Sequence, residues 1–246
     1  MLKKNSIILA TFVVLLFVGI VGWARWYDRP LSVEQISLPT VLPSTPTPLP
    51  SPTAPQLPAN VNLVVPFTAQ APHANWDEVH EEFCEEASLL MAMSYVKKQD
   101  IPNAEFAEQN LQKIKTFEEK RFGFYKDTTI EEVAAIAREY YKYNQTRIIE
   151  NPTVDDIQQA VAAGKVVLVP AAGRLLGNPN FRPPGPLYHM LVIKGYTVDQ
   201  KFIANDPGTR HGADFMYNEE VLMNAIHDWR SDRQIELGSK VVLIVG

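Results

Sequence analysis

An α+β fold with a mainly antiparallel sheet is predicted for residues 61–246, on three observations. The helical patterns come first and the strand-like runs last. CEEASLLMAMSYV, residues 84–96, is apolar nearly all round after its first turn, as a buried helix is. The closing runs are short, apolar and bounded by Gly, Pro, Asn and Asp, which is strand and hairpin punctuation.

The elements follow in chain order. Residues 7–24, IILATFVVLLFVGIVGWA, carry no charge, and as a helix they reach about 27 Å, close to the hydrocarbon thickness of a bilayer. Lys3 and Lys4 precede this run, and Trp23 at its end with Trp26 and Tyr27 after it stand as an interfacial belt would. No small-x-small cleavage site follows, so residues 1–27 read as an uncleaved single-pass signal anchor rather than a signal peptide. The free α-amine and Asp28 tip the charge balance towards the amino terminus inside, which places the rest of the chain on the extracytoplasmic side of the cell membrane. Residues 28–60 form a Pro/Thr/Ser-rich disordered stalk. Nine of the 19 prolines lie between 30 and 58, and a polyproline-like course there reaches up to about 90 Å. The stalk reads equally as a spacer and as a solvated linker.

The domain itself starts with a short strand, 62–68, entering a polar loop, 70–80. After the buried helix comes a second helical region, 104–120, rich in Glu, Gln and Lys. Thr129 with Glu132 makes a capping box for a helix to about Tyr141, and Thr153 with Asp156 repeats it before 157–163. Gly164 ends that helix and KVVLVP, 165–170, is a strand; 173–186 is a Gly/Pro loop. Strands follow at 189–197, 201–205 and 240–245, with a hairpin turn at 197–200.

Charge and cysteine count exclude several functions. Of 23 basic and 28 acidic residues, four and two lie in the first 60, so the domain holds 19 and 26 and carries a net −7. Such a surface repels phosphate backbones, and no nucleic-acid partner is expected. A single cysteine excludes a disulfide framework and a Cys-rich zinc module. Cys84 opens the buried helix, where the helix dipole favours a thiolate; a lone cysteine in a core is equally a small hydrophobe. His189 opens an apolar strand. Asp206 closes the next strand 17 residues later, so the hairpin sets them nearly opposite, within a residue or three. A carboxylate beside an imidazole fixes its tautomer. Asn205 competes for that place, but neighbours on a strand face opposite ways, and Asp206 is favoured. A glutamine such as Gln70 can donate to an oxyanion beside the backbone N–H of Cys84. HEEFC, 80–84, imitates half of a zincin motif but lacks a third ligand. His73, His211 and His227 stand in polar surroundings and read as surface residues.

Val65-Pro66-Phe67 with Gln70 and Trp76, Cys84-x-x-Ala87-Ser88 with Met91, His189-Met-Leu-Val-Ile-x-Gly195-Tyr196 and Asn205-Asp206-Pro207 occur in the order found in another group of proteins. On these residues the region 61–246 resembles the bacteriocin-processing-like (C39-like) cysteine peptidases of the papain-like superfamily. The resemblance implies a papain-like fold, with a helical lobe carrying the cysteine packed on an antiparallel sheet carrying His and Asp. It implies Cys84 as nucleophile, His189 as general base and acid, Asp206 as orienting residue and Gln70 as oxyanion donor. The partner would be a peptide or protein substrate, and the chemistry needs no cofactor and no metal. A departure from the family pattern is Glu85-Glu86 after the cysteine, where relatives have Gly and then Pro or Ala. With Glu81 and Glu82 before it, these carboxylates either raise the thiol pKa or cap the helix amides, and capping is favoured. A binding module without catalysis and an acyl or peptidyl transferase remain alternatives to a hydrolase.

Overall fold

The computed structural model of the protein describes residues 57–246. The expected membrane anchor and all but the end of the stalk lie outside these residues. Among the described residues no helix is long and apolar enough to cross a membrane.

Seven strands form one antiparallel sheet: β1 (Val61–Asn62), β2 (Thr146–Glu150), β3 (Val166–Ala172), β4 (Tyr188–Thr197), β5 (Lys201–Asn205), β6 (Phe215–Asn218) and β7 (Val241–Val245). The order is β2-β7-β3-β4-β5-β6, and β1 pairs with β4 at Gly195 and Tyr196. β5 already occupies one edge of β4 at Gly195, so β1 continues the line of β3 along the other. A side chain at Gly195 is excluded, since a Cβ there would meet the Val61 carbonyl oxygen at 2.4 Å.

Among the described residues five α-helices cover the sheet: α1 (Cys84–Val96), α2 (Ala104–Phe122), α3 (Ile130–Glu139), α4 (Val154–Ala162) and α5 (Glu219–Ala225). Alternation along the strands decides which helices they meet. Leu168, Met190, Val192 and Leu243 point into a core with α1, α2 and α3. Val167, Val169, Leu191, Ile193 and Ile244 point into a second core with α4 and α5. The sheet is therefore covered on both faces, not only by a lobe bearing the cysteine. α1 explains its own composition: Leu89, Leu90, Met91 and Met93 are all buried, each stabilising the fold by about 1.5–3 kcal/mol.

Thr129–Glu132 and Thr153–Asp156 both form reciprocal capping boxes. Elsewhere the elements depart from the sequence expectation. The strand expected at 62–68 shrinks to Val61–Asn62, and a 3-10 turn, Gly173–Leu176, opens the Gly/Pro loop. β2 falls between helices, so helices and strands do not segregate along the chain. His227 is buried, with its Nδ1 against the Gly238 carbonyl at 3.0 Å, and is not a surface residue.

Candidate active site

β4 is longer than its partner β5, and that mismatch builds the site. β5 pairs with β4 only as far as Val192↔Asn205, which leaves the edge of β4 before Val192 open on that side. The first two turns of α1 fill it: Ser88 donates its hydroxyl to the Met190 carbonyl at 3.0 Å, and the Met190 main chain lies beside the Cys84 sulfur. Cys84 thus stands at the mouth of α1 and next to the residue that follows His189.

His189 and Asp206 meet. His189 Nε2 lies 2.7 Å from Asp206 Oδ1, with both side chains buried. The same oxygen accepts the backbone N–H of Gly208 at 2.9 Å. The other carboxylate oxygen accepts the Asn178 amide at 3.1 Å and the Tyr217 hydroxyl. Burial alone would raise the Asp206 carboxyl; the imidazole, Tyr217 and Gly208 outweigh it and hold the group below the usual carboxylate range. An ionised Asp206 requires the proton on Nε2, and Nδ1 is then the basic nitrogen. Asn205 points the other way, its amide donating to the Val65 and Pro66 carbonyls.

The imidazole is clamped. The Phe181 ring meets it edge-on at 5.2 Å between centroids. A Cβ on Gly208 would come within 2.8 Å of both His189 Cε1 and Phe181 Cε1, so only glycine fits there. Asn178, Phe181 and Tyr217 were not singled out by sequence, since an amide in a Gly/Pro loop, a loop aromatic and a strand tyrosine carry no local signal.

Gln70 links the two halves of the site. Its backbone N–H donates to the Pro207 carbonyl at 2.9 Å, just past Asp206. Its side-chain nitrogen donates to the His80 and Glu81 carbonyls at 2.8 and 2.9 Å, in the 3-10 turn that leads into Cys84. That turn is held by His80, whose ring nitrogens lie 2.7 Å from Asp77 and 2.9 Å from Glu108. Burial opposes the imidazolium, but the two carboxylates outweigh it and raise the pKa. His80 is occupied by that ion network. Among the described residues no group of His, Cys, Asp and Glu side chains is arranged to hold a metal ion.

The thiol is turned elsewhere. Cys84 Sγ donates to Glu85 Oε2 at 3.0 Å, and among the described residues no hydrogen bond joins it to His189. Burial, then the neighbouring Glu85 and Glu86, push the thiol pKa well up, with the Met190 main chain working in the opposite direction. The N-cap position of α1 is Phe83, whose side chain makes no capping bond, while Glu85 and Glu86 each lie against their own backbone amide. Glu85 and Glu86 are both buried with Glu118 of α2.

Residues 62–235 match the model of the Peptidase_C39 like family. The chain belongs to that family. At the level of the family it is thereby a cysteine peptidase, and the fold agrees with this membership. A structure described as a C39-like peptidase from Bacillus anthracis is similar with a TM-score of 0.51 and 17% identity, over 76% of this chain and 98% of that one. Xylellain, a cysteine protease from Xylella fastidiosa, is similar over 77% of this chain and 86% of its own, with a TM-score of 0.44 and 14% identity. A search of curated proteins finds no match.

Proposed function

We propose that this C39-like chain is a cysteine hydrolase of peptide or amide bonds. The reading rests above all on the buried His189–Asp206 pair set beside the end of α1 that carries Cys84. With Asp206 holding Nε2–H, Nδ1 takes the thiol proton and Cys84 attacks the carbonyl carbon. Charge develops on the carbonyl oxygen. The Cys84 backbone N–H and one N–H of Gln70 stabilise it, Gln70 exchanging a carbonyl of the preceding turn for the oxyanion. His189 then protonates the leaving amine from Nδ1 and activates the water that hydrolyses the thioester. The apolar run at 7–24 supports a membrane anchor, and the 28–60 stalk a spacer that displays the domain outside the cytoplasm.

A second reading, a peptide-binding module without turnover, is favoured by one observation: the resting thiol is bonded to a carboxyl and not to the imidazole. Incubation with an electrophilic peptide probe and with peptide substrates, wild type against Cys84→Ser, separates the two. The hydrolase reading expects a covalent adduct and turnover in the wild type and neither in the variant. Turnover that survives Cys84→Ser refutes it, and peptide binding without adduct or turnover establishes the module.

A further inference from the structure

Glu85 follows Cys84 directly on α1, and residues i and i+1 of a helix do not ordinarily face each other. Here they touch, with Cys84 Sγ donating to Glu85 Oε2 at 3.0 Å. Helical side chains lean towards the amino terminus, and in a first turn no earlier turn stands in the way. The long Glu85 side chain can therefore fold back over the end of the helix to the sulfur. Its other oxygen, Oε1, is buried without a hydrogen-bond partner. The groups that bear on it are Glu86 on α1, Glu118 on α2, Asp127 in the loop before α3 and Tyr188 on β4. None of these is a cation.

We propose that Glu85 is a fifth functional side chain of this site, beside Cys84, His189, Asp206 and Gln70, holding the resting nucleophile as a neutral, hydrogen-bonded thiol until the sulfur turns from the carboxyl to Nδ1 of His189. The inference rests on the reading of Cys84 as nucleophile. In the activating step the S–H bond breaks, an N–H bond forms at Nδ1 and the electron pair stays on sulfur, while Glu85 neither gains nor loses a proton. Burial raises the Glu85 and Glu86 carboxyls well above the usual range. A thiolate formed beside Glu85 would lose the S–H hydrogen bond it now donates, in an enclosed site where none of these neighbours is a cation, so the proton leaves only after the turn. The upward push on the thiol from burial and from Glu85 is consistent with this.

The chain has one cysteine, so the infrared S–H stretch and the rate of iodoacetamide alkylation each report Cys84 alone. In the full-length wild type we expect a hydrogen-bonded S–H band at pH 7, absent from Cys84→Ser, and slow alkylation that rises only above the ordinary thiol range. Glu85→Gln keeps the shape of the side chain and presents a neutral amide to the sulfur. Its alkylation midpoint should fall by about one pH unit or more, which is about tenfold in rate at pH 7. Glu86→Gln, whose carboxyl has no hydrogen bond to the sulfur, should shift it less. No S–H band or an unbonded one in the wild type, an unchanged midpoint in folded Glu85→Gln, or an equal shift in Glu86→Gln would each overturn the proposal. Should Glu85→Gln fail to fold, the wild-type band decides. A wild type with the bonded band and the Glu85→Gln shift but no hydrolysis sinks the hydrolase reading and leaves the latch. Hydrolysis with an unmoved midpoint does the reverse.

Discussion

Replacing Glu118 by Gln tests the electrostatics beneath the site. Glu118 lies near the carboxyl-terminal end of α2 at 0% exposure and faces Glu86 of α1 at 1%. Two carboxyls so enclosed, with the Lys115 ammonium of the same helix as the cationic influence on Glu118, persist by keeping a proton between them. Burial, reinforced by the charges of Glu132 and Glu119 and opposed by the contact with Glu86, raises Glu118 from 4.5 to about 8. The folded state therefore keeps a proton that the unfolded chain releases. The stability that Glu118 contributes through this proton is full below about pH 4.5 and is lost as the pH rises from there through about 8, by up to about 5 kcal/mol. Glu118→Gln cannot ionise, and its amide can donate to Glu86. Urea unfolding of both full-length proteins in mild detergent, followed by tryptophan fluorescence from pH 5 to 9, is the assay. The stability difference should widen with pH in favour of the variant, by a few kcal/mol at pH 9. Asp127 and Asp228, each raised to about 6, titrate in both proteins and cancel in that difference. Parallel curves across the range would refute the shared proton.

Two further outcomes concern the site. Gln70→Ala should lower kcat by about 10²–10³-fold with little change in KM. It should also cost about 1–2 kcal/mol of stability for the two carbonyl bonds to the turn; a raised KM with normal kcat would make Gln70 a substrate-binding residue instead. Gly208→Ala should displace the imidazole from Asp206 and cut kcat about 10²-fold, with secondary structure unchanged by circular dichroism. Full activity in that variant would show that the clamp on His189 is not needed.

Local signals in the sequence are the ones that survived in the structure. The capping boxes at Thr129 and Thr153 join groups three residues apart, so short-range geometry settles them without help from the rest of the chain. The runs that became β3, β4, β5 and β7 are apolar because a sheet covered on both faces demands it. β2 and β6 sit at the edges of the sheet, half in water, and their patterns were too mixed to read. Cys84, His189 and Asp206 are legible from their places at the start of a buried helix and across a hairpin, and the family resemblance gives them and Gln70 their roles.

What the tertiary structure alone decided concerns partners far apart in sequence. Strand alternation said that Asn205 and Asp206 could not both face His189, and the packing of the segment at Val65 and Pro66 took Asn205. Tyr217 and Asn178 hold Asp206 from 11 and 28 residues away. Most plainly, nothing local distinguishes Glu85, Glu86 and Glu118 from the solvated glutamates of other helices. Their burial depends on how α1 and α2 pack, because the cost of enclosing a carboxyl is set by the dielectric and the neighbours that the whole fold places around it.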